Sequence, residues 1–472
     1  MRKVSLFLLS AALAGCNFTP KFVQPTAPIP DTFAGSGVPG RAASEIGWRE
    51  FFGDARLQAL IAAALANNRD LAQSVARVAQ ARARFRIQDA ARLPQVDLVA
   101  GASRSRTPTN SFGFPGAGSG GEVSVTQNQF SLGAQVASFE LDFWGRVRNL
   151  SEAQRREYLA TVEAERAFRL SLIGQVAATY LQIRAGEEQI ALAQRSVTGR
   201  REGLRIARLR ERAGVTSTVD FDQAALLLTQ AETELAELRR TTGQGENLLT
   251  VLIGGPMADP LPPARPLSDP AQYASVEPGL PSALLLDRPD ILAAEQRLRA
   301  ANANIGIARA SFLPRISLTG LLGFISPALG SLIGGDALQY RAGIDATQPI
   351  LTWGTGRQGI ALTRAQADEL IAAYQLAAQQ AFREVADALI ARRQYADQIA
   401  AQVRGVDAQR RLARVARLRY ANGLSIYLEV LDAERNLFAA EQQLLALRSA
   451  QLQSEVSLYV ALGGGVRETT GL

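Results

Sequence analysis

The chain carries one structural unit twice. Trp144-Gly145-Arg146 returns as Trp353-Gly354-Thr355-Gly356-Arg357, Ala213-Gly214-Val215-Thr216 as Asn422-Gly423-Leu424-Ser425, and Leu252-Ile253-Gly254-Gly255 as Ala461-Leu462-Gly463-Gly464. The pairs Gly145/Gly354, Gly214/Gly423 and Gly254/Gly463 are each 209 residues apart. An offset held without insertion over about a hundred residues implies two copies of one supersecondary unit. The chain therefore reads as one elongated body built twice rather than as a string of unrelated domains.

Proline punctuates that body. None falls between Pro39 and Pro94, between Pro115 and Pro256, or after Pro349. Interior proline breaks helices, so these gaps hold them. Helices are predicted at 55–92, 143–213, 217–252, 288–312, 354–422 and 426–462. The two longest would run roughly 100 Å at 1.5 Å per residue. Ile399, Val403 and Val406, then Leu412, Val415 and Leu418, recur at three- and four-residue spacing and predict a coiled-coil seam. Aromatic residues are only 6% of the chain, so Ala, Leu, Val and Ile carry the apolar load, which suits close helix packing.

Four segments between the helices alternate with period two. Val96, Leu98, Ala100 and Ala102 alternate with Gln95, Asp97, Gly101 and Ser103, and a longer Gly-, Pro- and Ser-rich loop around Ser111–Gly121 joins this segment to the next. Phe130, Leu132, Ala134 and Val136 alternate with Ser131, Gly133 and Gln135. Ile316, Leu318, Leu322 and Phe324 oppose Ser317 and Thr319. Leu338, Tyr340, Ala342, Ile344 and Ala346 oppose Gln339, Arg341, Gly343, Asp345 and Thr347. These are strands with one apolar and one polar face, each long enough to cross a bilayer when tilted. Four strands cannot close around a channel, and an open sheet cannot stand in hydrocarbon. Three chains would supply twelve strands, so the pattern predicts an oligomer of which a trimer is the smallest form. The competing reading is a soluble two-sheet arrangement.

The N-terminus reads as an address. Arg2 and Lys3 precede an apolar stretch, Val4 to Leu13, that is too short to be a permanent membrane helix. It ends in Leu13-Ala14-Gly15-Cys16, which resembles a bacterial lipobox. In such signals the cysteine sulfur takes diacylglycerol, cleavage before the cysteine follows, the new amine is acylated, and several acyl chains anchor stably. The alternative is a plain secretory signal with an incidental cysteine. Asn17 is not aspartate, which by the same resemblance points away from inner-membrane retention. Pro20, Pro25, Pro28, Pro30 and Pro39 then make an extended tether.

Composition removes other classes. There is no histidine and one cysteine, so the commonest general base is absent and no intramolecular disulfide can form. No nucleophile elbow, phosphate-binding glycine loop or metal-ligand cluster is legible, so no catalytic residue, metal or cofactor is expected apart from lipid on Cys16. The formal charge of +7 is spread along helical segments with no dense basic run, which gives no sign of nucleic acid.

Further residues carry a family resemblance: Trp48, Phe51, Phe52, Asp54, Leu57, Leu60 and Ile61; Asn67-Asn68-Arg69-Asp70-Leu71; and Asp287-Arg288-Pro289-Asp290-Ile291 with Ala294-Glu295, Ala300-Ala301-Asn302-Ala303, Ile305-Gly306 and Ala308-Arg309-Ala310, leading into Leu313-Pro314. With the repeat and the lipobox, the chain resembles the TolC-type outer-membrane factors, in the lipoprotein branch (the NodT/OprM-like group) that serves RND efflux pumps. The resemblance implies an α+β membrane protein. It is a homotrimer whose twelve-stranded barrel, four strands per chain, continues into a coiled-coil helical tunnel in the periplasm. Its partners are a periplasmic adaptor (a membrane fusion protein), an inner-membrane RND pump and outer-membrane lipid, and it passes drugs or other small molecules outward. The chain then divides into a signal peptide 1–15, a lipidated N-terminal segment 16–54, repeat one 55–255, an equatorial linker 256–287, repeat two 288–464 and a tail 465–472. Alternatives are a conduit for type I protein secretion and, in another class, a periplasmic coiled-coil scaffold lipoprotein.

Gly214 and Gly423 would make tight turns between antiparallel helices, with Thr216, Ser217 and Ser425 as N-caps of the returning helices. The resemblance makes these turns, Gly214-Val215-Thr216 and Gly423-Leu424-Ser425, tips that dock the adaptor. Asp220, Glu429 and Asp432 sit early in the returning helices, where acids stabilise the helix dipole. The resemblance adds a second role. Glu429 and Asp432 would line a closed aperture, and Tyr420 would tie to Asp220. Ser425 stands where a basic residue often completes that lock.

The lipobox generates one prediction. Mass spectrometry of the mature N-terminal peptide should find it beginning at acylated Cys16; an intact Met1 or a free thiol at that position would reject the assignment.

Overall fold

Proline-free stretches become helices and the alternating segments become strands, in the order the sequence sets. The computed structural model describes residues 17–33, 46–108, 124–215, 217–257, 260–274 and 286–465. Cys16, Thr216, the loop around 111–121 and the tail beyond 465 lie outside them. The elements are α1 Trp48–Phe51, α2 Ala55–Asn67, α3 Arg69–Ala90, β1 Asp97–Pro108, β2 Ser124–Glu140, α4 Arg146–Arg212, α5 Thr218–Ile253, α6 Pro289–Ala310, β3 Arg315–Ser326, β4 Leu338–Thr347, α7 Thr355–Ala421 and α8 Tyr427–Ala461. From α3 to α5 the first copy is matched in order by α6 to α8 of the second, and α4 and α7 have 67 residues each.

Two compact units form. One comprises residues up to Pro25, Ala79–Ala160 and Glu295–Ala372; the other comprises Thr26–Val78, Thr161–Ala294 and the chain from Ala373. The boundaries fall inside α3, α4, α6 and α7.

The first unit holds the sheet. All neighbours are antiparallel, in the order β1-β2-β3-β4, so β1 and β4 are its edges. A bulge in β2 between Val136 and Phe139 shifts its register against β3. The N-terminal segment is an extended strap docked on α6. Asn302 Nδ2 donates to the Pro20 carbonyl at 2.9 Å, Arg309 Nη1 donates to the Phe18 carbonyl at 3.1 Å, and Arg299 lies 4.4 Å over the Phe22 ring. Asn149 Nδ2 donates to Asn17 Oδ1 at 3.0 Å. Gly306 permits the contact, since a Cβ there would fall 2.1 Å from Thr19 Oγ1.

The second unit holds the largest apolar core. Phe51 stacks on Tyr459 with ring centroids 4.1 Å apart and on Tyr273 at 5.2 Å. The Tyr459 hydroxyl donates to the Ile46 carbonyl at 2.8 Å. Buried Asp54 caps α2, accepting from the Arg56 and Leu57 amides and, on its other oxygen, from the Tyr180 hydroxyl at 2.7 Å. Arg288 is nearly buried and finishes α8. One Nη1 bond goes to the Ala461 carbonyl at 2.7 Å and another to Glu384 at 2.9 Å, while Asp290 takes the other side of the guanidinium. A cation on the last carbonyls of a 35-residue helix complements its dipole.

Three expectations are corrected. The helix predicted over 55–92 breaks at Asn68, whose backbone leaves helical geometry; its side chain caps α3 through the Leu71 amide at 2.8 Å and donates to the Leu252 carbonyl. Local polar competition of this kind ends a helix that periodicity alone would extend. Ser217 occupies the cap position of α5 without a side-chain cap bond, and the cap of α8 is Ile426, not Ser425. Lower on α7 the buried residues are Ala413 and Ala416, whereas Leu412, Val415 and Leu418 are exposed, because close helix approach selects the small side chains. Among the described residues no helix is long and apolar enough to cross a membrane.

The Asp54 cap generates the second prediction. Tyr180→Phe should cost about 1 kcal/mol by thermal unfolding, as for one hydrogen bond. Asp54→Ala should cost about 2–4 kcal/mol, because it removes a cap and strands a buried hydroxyl. The double variant should fall short of the sum, and strict additivity would dissolve the link.

Candidate functional site

Two features carry function-bearing geometry. The first is the sheet. The β1–β2 register sets Leu98 against Ala134 and Ala100 against Leu132; β2–β3 continues these rows to Leu322 and Phe324, and β3–β4 to Tyr340 and Leu338. One face is thus apolar in cross-strand rows. Leu98, Leu322, Tyr340 and Ile344 on it are all exposed. The opposite face carries Asp97, Ser103, Gln129, Gln135, Thr319, Gln339, Arg341 and Asp345. An exposed apolar face of this size on a sheet is a lipid-facing pattern when the other face is polar.

The second feature is the pair of helical tips. Each of α4 and α7 ends in a glycine with left-handed φ, +67° at Gly214 and +72° at Gly423. The bonding is the same in both. Gly214 N–H reaches Glu211 O and Val215 N–H reaches Arg210 O; Gly423 N–H reaches Tyr420 O and Leu424 N–H reaches Arg419 O. This is the Schellman closure, which glycine permits because it has no Cβ. It leaves Val215 and Leu424 exposed at the turns, with Val219, Ile426 and Leu428 exposed beside them. Between α5 and α8 a cavity of about 240 Å³ is lined by Leu226, Leu227, Gln230, Leu428, Leu431 and Arg435, among others.

The predicted gate residues all lie in this tip region. Asp220 is in the first turn of α5, half-buried, and Glu429 is its counterpart in α8. Glu429 is paired with Arg419 at 3.5 Å, and Asp432 with Arg435 at 2.6 Å and Asn436 at 3.2 Å. Both acids are exposed and partly neutralised by their own chain. Tyr420 packs on Tyr427, with centroids 5.0 Å apart, and the Arg210 guanidinium lies 4.7 Å over its ring.

Sequence reasoning missed Gly203, Arg210 and Tyr427. A Cβ on Gly203 would fall 2.0 Å from the Tyr427 hydroxyl, so this mid-helix glycine is a notch on α4 that seats a side chain of α8. An isolated glycine within a helical pattern was the available signal, since it costs about 1 kcal/mol and asks for a packing reason. Among the described residues no three His, Cys, Asp or Glu side chains converge to hold a metal ion.

The Tyr427 phenol is pushed up to about 12, first by burial, then by the negative charge of Glu434 and by Tyr420. The neutral phenol is the form the fold favours. Its contribution is whole below the ordinary phenol value, about 10, and is lost as pH rises through about 12. A 295 nm difference titration between the native chain and Tyr427→Phe should therefore centre near the upper value; a difference centred on the ordinary one would unseat Tyr427 from its notch.

Comparison with known proteins adds to this geometry. The chain matches the family model described as "Outer membrane efflux protein" over residues 60–255 and 280–464, two stretches that coincide with the two copies. It is similar to the toluene efflux pump outer membrane protein TtgC of Pseudomonas putida, 38% identical over 99% of this chain and 96% of that one. The cation efflux system protein CusC of Escherichia coli is 37% identical over 98% of both. In structure it resembles the open state of the Neisseria gonorrhoeae MtrE outer membrane channel. The TM-score is 0.85 at 36% identity, covering 96% of this chain and 99% of that one.

Proposed function

The chain belongs to the outer membrane efflux protein family, and from that premise we propose that three copies form the outer-membrane duct of a tripartite pump. It is an outer-membrane channel component of an efflux system. In this reading three four-stranded sheets close into one twelve-stranded barrel, apolar side outward and polar side lining the pore. The helical hairpins continue the pore into the periplasm. A periplasmic adaptor docks on the tips, and an inner-membrane pump of the RND class supplies drugs or other small molecules. The duct positions and conducts; it has no chemistry to perform. TtgC and CusC are named for toluene and for cations, so similarity at this level leaves cargo to the pump.

The observation that carries the reading is the segregation of apolar and polar residues onto opposite faces of an open-edged sheet. Lipid on Cys16 would add to the barrel's own attachment. Val215 and Leu424 would be covered by the adaptor. At the tips, Glu429 and Asp432 would form acidic rings that favour cations. Tyr420 and Asp220 would tie neighbouring coiled coils in the closed state, beside the Tyr427–Gly203 contact that joins α4 and α8 within a chain.

The test is conductance. Purified protein in planar bilayers should form channels. Tyr420→Phe with Asp220→Ala should raise single-channel conductance, and Glu429→Ala with Asp432→Ala should lower cation selectivity. Leu424→Asp should leave the oligomer intact and weaken adaptor cross-linking and export. A protein that forms no channels would overturn the duct. Unchanged conductance would remove the lock, unchanged selectivity the acidic rings, and unchanged cross-linking and export the docking tip.

A further inference from the structure

The internal repeat supplies a template for a contact that a single chain cannot make with itself. At the junction of the first copy with the second, the end of β2 is fastened to the start of β3. Leu141 N–H donates to the Ile316 carbonyl at 2.8 Å, and Trp144 Nε1 donates to the Pro314 carbonyl at 2.7 Å. Moving both partners by one repeat gives the corresponding groups. Trp144 becomes Trp353 and Leu141 becomes Ile350, each 209 residues on; Pro314 becomes Pro94 and Ile316 becomes Val96, each 220 residues back. The two offsets differ because the first hairpin loop is longer. Trp353 and Ile350 follow β4, whereas Pro94 and Val96 precede β1, and β4 and β1 are opposite edges of the sheet. Within one chain these donors and acceptors are three strands apart.

Exposure follows the same division. Trp144, Leu141, Leu313, Pro314 and Ile316 are half-buried at the internal junction. Their copies are bare: Trp353 is 88% exposed, Ile350 93%, Leu93 72% and Val96 66%. Among the described residues the Trp353 indole has no hydrogen-bond partner. Trp353 is also the one non-glycine residue among the described residues with positive φ, at +49°, a costly conformation for a bulky side chain. Exposed edge, exposed indole and backbone strain coincide on the copy whose acceptor lies across the sheet.

We infer that Trp353 of one subunit donates its indole N–H to the Pro94 carbonyl of a second copy of this chain, and that Ile350 N–H there donates to the Val96 carbonyl, so that β4 pairs with the neighbour's β1 in the register β2 keeps with β3. This deepens the trimeric-barrel reading and rests on it. The register follows from the ladders. Asp97 faces Gln135 in the first hairpin and Ser317 faces Asp345 in the second, so β2 maps onto β4 with an offset of 210 above the bulge. Val136 facing Gly320 then becomes Ala346 facing Ala100 of the neighbour, and Phe139 facing Leu318 becomes Gln348 facing Leu98. In this register Leu98, Ala100 and Ala346 stay on the same face as Leu132, Leu322 and Tyr340, and a one-residue slip would reverse that. The contact joins an aromatic residue to a proline carbonyl three residues before a strand, at the level where the sheet meets the helices, and it occurs once per subunit boundary.

Cysteine cross-linking of the full-length protein in detergent tests it. Directly opposed Cβ atoms lie about 4.5–5.5 Å apart and diagonal ones about 7–8 Å, and a disulfide needs about 3.5–4.5 Å. Oxidised Ala100→Cys/Ala346→Cys should run as a covalent trimer on a non-reducing denaturing gel. Ala102→Cys/Ala346→Cys and each single variant should run as monomers. Trp353→Phe, which keeps the ring and removes the donor, should lower the temperature at which trimer dissociates by several degrees. A cross-link from the shifted pair in place of the predicted one, or no cross-link while light scattering reports trimer, would overturn the register and leave the trimeric barrel standing. An unmoved dissociation temperature in Trp353→Phe would overturn the indole contact. A monomer by light scattering in the unmutated protein would sink the trimeric reading itself.

Discussion

Hydrocarbon offers no partner to a backbone amide or carbonyl, and that fact governs the rest of this structure. A strand edge in lipid leaves a row of unsatisfied groups at a cost of several kcal/mol each. The chain presents four strands with an apolar face and two edges. It cannot shorten the problem by curling four strands onto themselves, since so small a ring has no interior. The sheet therefore specifies closure by other copies as firmly as it specifies its own internal ladders.

The helices of the second unit are held together by a few polar anchors set in small-residue packing. Asp54 fixes the start of α2 and reaches α4 through Tyr180; Arg288 ends α8 and reaches α7 through Glu384. Asn68 turns α2 into α3 while gripping the end of α5. Each is a buried or nearly buried side chain serving a helix terminus, where backbone groups have no partner of their own. The long helices need little else locally, because alanine and glycine let them approach and the ends are where they would fray.

Much of this was legible before any coordinates. Helix and strand limits followed from proline gaps and from period two, and the tip turns followed from Gly214 and Gly423. What was not legible has a common cause. Asn68 reads as one more polar residue on a helix until Leu252 is beside it. Gly203 reads as a weak point until Tyr427 is seen against it. The Leu412, Val415 and Leu418 stripe reads as a seam because hydrophobicity was weighed above size, whereas Ala413 and Ala416 allow the closer approach. The segment around Asn302, Gly306 and Arg309 carried a family resemblance without a reason. Its reason is the strap, residues 18–22, which touches it through backbone carbonyls and small gaps that no local pattern announces.

The strap has a mechanical consequence. Asn17 is bonded to Asn149, one turn into α4 and close to Gly145, where the strand region gives way to helix. Adjacent Cα atoms are about 3.8 Å apart, so a group attached one residue before Asn17 would be tethered within a single residue of the Asn17–Asn149 contact. An acyl chain attached there would not be a leash on a wandering body. It would act as the second tooth of a chelate beside the sheet's own attachment, at an effective concentration fixed by a short spacing rather than by a long flexible linker.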